Sequence, residues 1–401
     1  MTPSPAGRVP NELSPLPKRR LRIAVLSRSF RATGGGAERY SMALVEQLAH
    51  SHEMHVFSQE LEHAWPGVVY HPVSMPLKKP RWINQLWFAA ATWWATRRGF
   101  DVVHSHENTW YGQVQTVHVL PIQYNLFHGR TGWRLALRWL KVITSPRLLT
   151  YIGLERSRYR LDGPRTIVTT SKILQTIMAQ TYPAAVSAMQ VVTPGVAEVP
   201  GLTSDADRGA QRKRLGLPGQ GRCVLFVAND FKRKGLPALL QAMRDLPSDV
   251  YLVVVGNDEH LAQFKNQIQT DHLEHRVFFL AALQEIGVAY RAADCLAHPT
   301  LEDTFAMVVL EAMAHGLPVV VSGELYCGIA GLLSDGKNAL LLENPRDSDA
   351  LALALNRVIG EPQFYQQLSQ AGLDFAREHQ WADAAQKMAA IYEALAVQAD
   401  Q

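Results

Sequence analysis

Cysteine is scarce in this sequence, and no two cysteines lie close together. The 401-residue chain has three, Cys223, Cys295 and Cys327. Close spacings such as C-x-x-C, which are typical of metal sites and redox-active pairs, are absent. The sequence therefore predicts neither a disulfide framework nor a cysteine-bound metal, and it favours a reducing, cytoplasmic compartment.

Long hydrophobic runs are also missing. No segment reaches the roughly 18 uninterrupted apolar residues that a membrane-spanning helix requires. Residues 1–20 are rich in proline and polar side chains and contain no apolar core of a signal peptide. We interpret this segment as a disordered leader, and we expect no membrane span.

Neither sign of charge is in large excess. The 40 Lys and Arg residues stand against 36 Asp and Glu, and the formal net charge of +4 is too weak to indicate nucleic-acid binding. Apolar residues make up 47% of the chain and charged residues 19%, a composition that excludes global disorder.

Apolar runs of strand length alternate with segments in which apolar residues have helical spacing. The runs are LRIAVLS (21–27), FDVVHSH (100–106), QVQTVHV (113–119), RTIVTTS (165–171), RCVLFVAND (222–230), VYLVVVGND (250–258), DCLAHPT (294–300) and LPVVVSG (317–323). This alternation predicts parallel sheets covered by helices. A polar break at 200–221 divides the pattern into two Rossmann-like units, and ligands bind such units at the carboxyl ends of their strands. The cleft between the units is therefore the expected site.

Two loops between a strand and a helix are suited to phosphate. GGGAER (34–39) contains glycines that allow a close backbone approach, and helix-start amides attract anions. It is not the G-x-G-x-x-G pattern of nicotinamide dehydrogenases. ANDFKRKG (228–235) places Arg233 and Lys234 just before a helix, where they could bind a diphosphate. Alternatively, neither loop binds a ligand. GGGAER would then be a flexible turn, and ANDFKRKG would be a charged loop exposed to solvent.

Two acidic residues stand eight positions apart in LEDTFAMVVLEAM (301–313). Asp303 follows a strand and could simply cap the next helix through backbone N–H groups. Glu311 lies in an apolar stretch, where a buried carboxylate is costly without a partner. A ligand hydroxyl would be one such partner.

These motifs together resemble the family-4 retaining glycosyltransferases. The resemblance extends over about residues 21–397. It rests on the D-x7-E pair in HPTLEDTFAMVVLEAMAHGLPVVVS (298–322), the loops GGGAER and KRKG, the segment DVVHSH (101–106) and the final predicted helix WADAAQKMAAIYEALAVQ (381–398), which begins with a tryptophan. HPTLEDT and NDFKRKG look most like the group that acts on the lipopolysaccharide core, which includes the core glucosyltransferases.

The resemblance implies a GT-B fold, in which two Rossmann-like domains face a central cleft and a C-terminal helix crosses back to the N-terminal domain. We accordingly expect an acceptor domain at 21–198, a nucleotide-sugar domain at 199–378 and the crossing helix at 379–401.

The resemblance also implies roles for the two acids and the residues between them. Glu311 matches the acid that holds the ribose hydroxyls of the donor. Asp303 matches the acid that contacts the donor sugar. The backbone amides of Phe305, Ala306 and Met307 would face the sugar and the diphosphate.

Further positions follow from the same resemblance. Lys234, with Arg233 beside it, would neutralise the diphosphate, and Gly35 and Gly36 would approach the donor phosphate. His118 would lie near the donor sugar; as an isolated strand-end histidine it could equally be structural. Together with Asp303 and Lys234 it completes the predicted catalytic set. His104 and His106 alternate along one strand, share a sheet face and are candidate acceptor contacts.

The implied reaction is transfer of a hexose from a nucleotide-diphosphate sugar, with UDP favoured, to a hydroxyl of a cell-surface glycan such as the lipopolysaccharide core. The anomeric configuration would be retained, and neither a metal nor another cofactor would be needed.

The sequence departs from the family pattern at three sites, which comprise four positions. Asp303 replaces the usual Glu, Ala306 the usual Gly, and Ala228-Asn229 the usual Gly-Arg. The replacement at Asp303 leaves open a non-catalytic subunit that binds nucleotide sugar, and an epimerase or hydrolase on the same fold is a further alternative.

The segment 78–165 is unusually basic and rich in tryptophan. It has 14 Lys and Arg against 4 Asp and Glu, and seven of the nine tryptophans. Tryptophan, leucine and cations at helical spacing are typical of an interfacial helix on anionic lipid. We therefore expect peripheral contact with the inner membrane; alternatively, the tryptophans belong to the core.

Overall fold

The computed structural model describes residues 19–31, 35–77, 79–257 and 262–399. Residues 1–18 of the predicted leader lie outside the described residues. The described residues form two large parallel sheets covered by helices, together with one pair of short parallel strands. The predicted parallel α/β class is therefore confirmed.

The N-terminal half contains a seven-stranded sheet. The strands of this half are β1 (Arg22–Leu26), β2 (Ser29–Phe30), β3 (Glu53–Ser58), β4 (Glu60–Leu61), β5 (Val68–Pro72), β6 (Val102–Ser105), β7 (Val114–Val117), β8 (Thr166–Thr169) and β9 (Met189–Val191). The helices are α1 (Gly36–Leu48), α2 (Arg81–Thr96), α3 (Ile122–Phe127), α4 (Gly132–Ile143), α5 (Pro146–Arg158) and α6 (Lys172–Thr181), with a 3-10 helix at Pro183–Ala188. The sheet order is β5-β3-β1-β6-β7-β8-β9, and β2 pairs separately with β4.

The C-terminal half contains a six-stranded sheet in the order β12-β11-β10-β13-β14-β15. Its strands are β10 (Arg222–Val227), β11 (Val250–Val255), β12 (Val277–Leu280), β13 (Cys295–His298), β14 (Val319–Ser322) and β15 (Leu340–Leu342). The helices are α7 (Asp205–Arg214), α8 (Leu236–Ala242), α9 (Ala262–Thr270), α10 (Gly287–Ala292), α11 (Met307–Ala314), α12 (Ser348–Gly360), α13 (Pro362–Arg377) and α14 (Trp381–Ala399), with a 3-10 helix at Gly328–Leu332.

Burial explains which strands the sequence predicts. Every residue of β11 and β14 is buried, because helices cover both faces of a parallel sheet, and such strands are continuous apolar runs. The strands that the sequence did not predict include β5 and β15, which lie at sheet edges. β5 is half-exposed and β15 has only three residues, so neither produces a clear apolar run.

The last helix, α14, crosses back onto the N-terminal half. Trp381, Met388 and Tyr392 are buried in the same apolar core as β1 and α1. At the crossing, Trp381 N–H donates to the carbonyl of Val196 at 3.2 Å. A Cβ at Gly195 would lie 2.2 Å from the carbonyl carbon of Gln380, so only glycine allows the two segments to meet. The predicted domain limits themselves stay predictions.

Helices α2 and α4 leave large apolar side chains on the surface. The exposed ones are Trp87, Trp93 and Trp94 of α2, and Trp133, Leu137, Trp139, Leu140 and Ile143 of α4. In α4 the one fully buried side chain is Val142. None of the helices within the described ranges combines the length and the hydropathy that a bilayer crossing requires.

Candidate active site

A cavity of about 500 Å³ lies between the two sheets. One wall is formed by the start of α1 and the residues after β7, and the other by the residues after β10 and β11 and the turn between β13 and α11. The cavity thus lies at the carboxyl ends of the strands, where ligands bind in sheets of this type. The predicted site residues that line it are Gly35, Gly36, His118, Arg233, Lys234, Asp303, Phe305, Ala306 and Met307.

Asp303 is fully engaged by protein groups. Lys234 Nζ donates to its Oδ2 at 2.5 Å, and His298 Nε2 donates to the same oxygen at 3.1 Å. Burial alone would raise the pKa of this carboxyl, but the bond from His298 and the charge of Lys234 lower it well below its usual range. Asp303 is therefore a carboxylate that holds Lys234 in place. The predicted contact with donor sugar hydroxyls stays a prediction, and it requires one of these bonds to be exchanged.

The other oxygen of Asp303 organises the turn before α11. Its Oδ1 accepts the N–H groups of Phe305 at 3.3 Å and Ala306 at 2.9 Å. Those two amides, which the family pattern directs at the donor, are thus already bonded inside the turn. Met307 begins the helix, where N–H groups have no partner within the helix itself.

Ala306 occupies the left-handed region, with φ of 73°. That conformation costs a residue with a Cβ about 1–2 kcal/mol, and glycine adopts it without this cost. The family's usual glycine therefore has a conformational reason at this position. Asp303 and the buried Phe305 hold the turn in spite of the alanine.

Glu311 lines a neighbouring cavity of about 380 Å³ rather than the larger one. Its Oε1 accepts from Arg39 Nη1 at 2.6 Å, and its Oε2 accepts from the Tyr290 hydroxyl at 2.8 Å. Arg39 belongs to α1 and lines both cavities. The partner of this partly buried carboxylate is thus a cation from the opposite half of the molecule.

The basic loop before α8 lies against the end of β13. A Cβ at Gly235, which has φ of 90°, would lie 1.9 Å from the carbonyl oxygen of Pro299. Glycine at this point therefore brings Lys234 within reach of Asp303. Arg233 is half-exposed and lies 3.4 Å from Asp230 and 3.7 Å from Glu302.

The glycine loop faces α11 across the cavity. Gly35 caps α1 with an ordinary φ of −74°, and Gly36 begins that helix. A Cβ at Gly36 would lie 4.0 Å from the sulfur of Met307. The lack of side chains here keeps the backbone accessible from the cavity, and Gly34 lies outside the described residues.

Three histidines form a cluster at the cavity wall, with His104 buried and His106 and His118 partly buried. His118 lines the cavity and lies 2.9 Å from His106, measured from Nε2 to Nδ1. Burial lowers the pKa of His104 and His118 to about 3, and the charge of Arg158 acts in the same direction. These rings are therefore neutral at physiological pH.

The placement of His104 corrects one expectation. Its side chain is 1% exposed, and its ring nitrogens lie 2.6 Å from the Tyr392 hydroxyl and 2.6 Å from Thr116 Oγ1. A ring that is bonded on both sides inside the core cannot reach an acceptor. His106 lies beside it and contacts His118, and its own acceptor role stays a prediction.

Models of known families match both halves of the chain. The model described as Glycosyl transferases group 1 matches residues 207–375, and the one described as Glycosyltransferase Family 4 matches residues 34–198. A D-inositol 3-phosphate glycosyltransferase of Corynebacterium jeikeium (strain K411) is 31% identical over 316 residues, covering 68% of this chain and 73% of that protein. The chain belongs to the group 1 glycosyltransferases of family 4. Members of this group transfer a sugar from a nucleotide sugar.

Solved structures share the fold of this glycosyltransferase. WaaG, a glycosyltransferase involved in lipopolysaccharide biosynthesis, has a TM-score of 0.79 and 19% identity, covering 92% of this chain and 99% of that one. Anabaena HepE, solved in complex with UDP-glucose, has a TM-score of 0.72 and 19% identity, covering 92% and 98%. At this identity the likeness shows the fold, and the predicted GT-B architecture is confirmed.

Three residues of the glycosyltransferase site were not singled out from the sequence. Arg39 and Tyr290 complete the surroundings of Glu311, and His298 completes those of Asp303. Arg39 is the last residue of the glycine loop GGGAER, and His298 precedes the acidic pair in HPTLEDT. Both residues therefore lie within motifs that the sequence pattern identifies. The partner of Arg39 could not be predicted from the sequence, because Arg39 and Glu311 are 272 residues apart in the chain.

Proposed function

We propose that this glycosyltransferase moves a hexose from a UDP-sugar to a hydroxyl of a lipid-linked cell-surface glycan, with retention of configuration and without a metal. The observation that carries the proposal is the convergence of a basic loop, a glycine loop and an acid-bearing helix on the cavity region between two Rossmann-like sheets. Each of these groups suits one part of a nucleotide sugar.

In the proposed donor complex, Glu311 accepts hydrogen bonds from the ribose hydroxyls. Arg233 and Lys234 face the diphosphate, with Gly35, Gly36 and the amide of Met307 as further contacts. Fixed cations at the leaving group stabilise the negative charge that grows there as the sugar departs. We therefore assign to Lys234 the charge compensation that a metal ion supplies in other transferases.

Asp303 and His118 are assigned to the sugar end of the donor. Asp303 holds Lys234 at 2.5 Å and so acts mainly by positioning that cation, with the contact to sugar hydroxyls as its second role. His118 lines the cavity as a neutral ring. A neutral imidazole both donates and accepts a hydrogen bond, which suits recognition of a hydroxyl group.

UDP is the favoured leaving group because HepE, which shares the fold, is solved with UDP-glucose. The test is a thermal-shift panel of UDP, GDP, ADP and CMP. A ligand stabilises the protein according to its concentration relative to its dissociation constant, so UDP should give the largest rise in melting temperature. A larger shift with GDP or ADP would contradict the choice of base.

Two acceptor classes are separated by a transfer assay. The exposed apolar side chains of α2 and α4 favour a lipid-linked saccharide at a membrane surface. The names of relatives such as the Corynebacterium jeikeium enzyme favour a phosphorylated inositol. UDP release should be stimulated by lipopolysaccharide core glycolipid rather than by D-inositol 3-phosphate, and the opposite result would replace the acceptor.

The stereochemistry and the metal dependence have separate readouts. Proton NMR of the product should give the same anomeric configuration as the donor, and inversion would contradict retention. Turnover should persist in excess EDTA. A loss that Mg²⁺ or Mn²⁺ restores would overturn the metal-free mechanism.

A further inference from the structure

Without a donor, each carboxylate oxygen of Glu311 accepts a hydrogen bond from the protein, one from each half of the molecule. Arg39 Nη1 lies 2.6 Å from Oε1, and the Tyr290 hydroxyl lies 2.8 Å from Oε2. The carboxylate side chain is only 18% exposed. Each oxygen of the carboxylate can accept a further bond, but a side chain this little exposed leaves little room for two ribose hydroxyls while both protein donors stay in place.

Arg39 is the donor that can leave, because its guanidinium has further N–H groups and the residue also lines the larger cavity. A guanidinium has five N–H donors, and the structure gives one bond from Nη1 to Glu311. Its Nε is buried and has no hydrogen-bond partner within the described part of the chain. Tyr290, by contrast, is fully buried among residues of the C-terminal core.

A released Arg39 needs a new anionic partner. Burial lowers the pKa of its guanidinium, but Glu311 outweighs this effect and raises the pKa, so the group stays charged. The Arg39 side chain is 30% exposed but its Nε is buried without a partner, and a partly buried cation is unfavourable without an anion beside it. Arg39 lies one helical turn after Gly35 and lines the same cavity as Arg233 and Lys234, where the diphosphate is proposed to bind.

We propose that Arg39 is a further donor-binding residue that exchanges partners, binding Glu311 when the site is empty and the diphosphate when the donor is bound. The inference rests on the proposed function, because it takes Glu311 as the ribose ligand. The exchange keeps both charged groups compensated in each state. It also makes Arg39 a competitor of the ribose and a partner of the phosphates.

The two roles predict opposite changes in affinity when Arg39 is replaced. The Arg39→Gln variant should bind uridine as well as the wild type or a few-fold more tightly, because Glu311 has lost its competitor. The same variant should bind UDP about 10-fold or more weakly, because a charge-assisted hydrogen bond is lost. Isothermal titration calorimetry with uridine, UMP and UDP measures both effects.

Arg28 provides a matched control. It forms an Arg–Glu pair with Glu107 at 2.9 Å, with side chains 33% and 19% exposed, against 30% and 18% for Arg39 and Glu311. Arg28→Gln should leave all three affinities unchanged. Arg39→Lys keeps the charge and should recover part of the UDP affinity, and melting curves verify that each variant is folded.

The outcomes separate this inference from the proposed function. Equal losses for uridine and UDP in Arg39→Gln would overturn the exchange and make Arg39 a structural residue. Tighter binding of both would overturn it as well, leaving Arg39 as a competitor only. If the wild type binds UDP but Glu311→Gln leaves uridine affinity unchanged, Glu311 does not bind the ribose. The partner exchange of Arg39 is then also wrong. If the wild type does not bind UDP, the proposed donor itself is wrong.

Discussion

The two halves of this glycosyltransferase place their tryptophans and cations differently. The C-terminal half has one tryptophan, Trp381, and that residue is buried in the core of the opposite half. In the N-terminal half, five tryptophans of α2 and α4 are exposed. Exposed aromatic side chains on one half only support the proposal that this half has an interaction surface.

The cations differ in the same way. In the C-terminal half, Lys234 and Arg233 are paired with carboxylates at the cavity. On α4, Arg134, Arg138 and Lys141 form no ion pair within the described part of the chain. Paired cations are positioned for one ligand, whereas unpaired cations beside exposed tryptophan and leucine suit an anionic lipid surface. We therefore propose that the cations of the C-terminal half serve donor binding and that those of α4 serve membrane contact.

The sharpest test of the donor half is Glu311→Ala. We expect transfer to fall by at least about 100-fold, because two charge-assisted bonds to ribose are worth roughly 1.5–3 kcal/mol each. Turnover and thermal melting are measured together. Asp271, which is a part-buried carboxylate 3.7 Å from Arg244 and outside the cavity, gives the control Asp271→Ala. Activity within a few-fold of the wild type would refute the ribose assignment.

Lys234→Ala tests the same half at the leaving group. We expect kcat to fall by about 100-fold or more, as when one donor to a developing anion is removed. Lys232, exposed in the same loop, provides the control Lys232→Ala, which should retain activity. A lower melting temperature with an unchanged rate would make Lys234 structural.

Charge reversal on α4 tests the other half. Each cation near an anionic bilayer contributes about 1 kcal/mol, so changing Arg134, Arg138 and Lys141 to Glu should release the protein from anionic vesicles. Vesicle co-sedimentation is the measurement, and turnover of a lipid-free core oligosaccharide should persist.

The control for this reversal changes the net charge equally in the C-terminal half. Replacement of the exposed Lys265, Lys337 and Arg346 by Glu should leave vesicle binding intact. Wild-type binding should also weaken as salt rises, because screening shortens the range of surface charge. Equal binding to neutral and anionic vesicles, or none to either, would remove the difference between the halves.

Acid should destabilise the N-terminal half through the histidines of the cluster at the cavity wall. His104 and His118 have folded pKa values of about 3, well below the unfolded value near 6.5. The unfolded state therefore binds more protons below pH 6.5, and stability is lost as pH falls, by about 1.4 kcal/mol per pH unit for each such histidine. His104→Gln should flatten the slope of the unfolding free energy between pH 6 and pH 4.5. The exposed His50 gives the control His50→Gln, and an unchanged slope in His104→Gln would contradict the prediction.

The smallest expected effect is a gain in stability at the turn before α11. Ala306→Gly relieves a left-handed conformation but adds freedom to the unfolded chain, so we expect a net gain of about 0.5–1 kcal/mol. Urea unfolding measures it. Ala312→Gly, at a buried position of the same helix with ordinary helical geometry, should destabilise instead. Loss of stability in Ala306→Gly would mean that the turn is not strained.

The sequence by itself determined the fold class and the positions of the motifs. Buried strands such as β11 and β14 are continuous apolar runs, and the basic loop and the acidic pair follow strands directly, so local pattern was sufficient. The same pattern indicated that Glu311 would be buried enough to need a partner. Tertiary structure decided which partner it has, because Arg39 comes from a helix near the other end of the chain.

The tertiary structure alone decided a second property, namely which side chains are free to bind a ligand. Asp303 is bonded by Lys234 and His298, and His104 is bonded by Tyr392 of the crossing helix. The exposed face of α4 could not be told from a core-facing one by periodicity, since both have apolar residues at helical spacing. Hydrogen bonds and burial depend on what lies across the cleft or behind the sheet. A linear pattern specifies which face of an element is apolar, and only the packed chain specifies what that face meets.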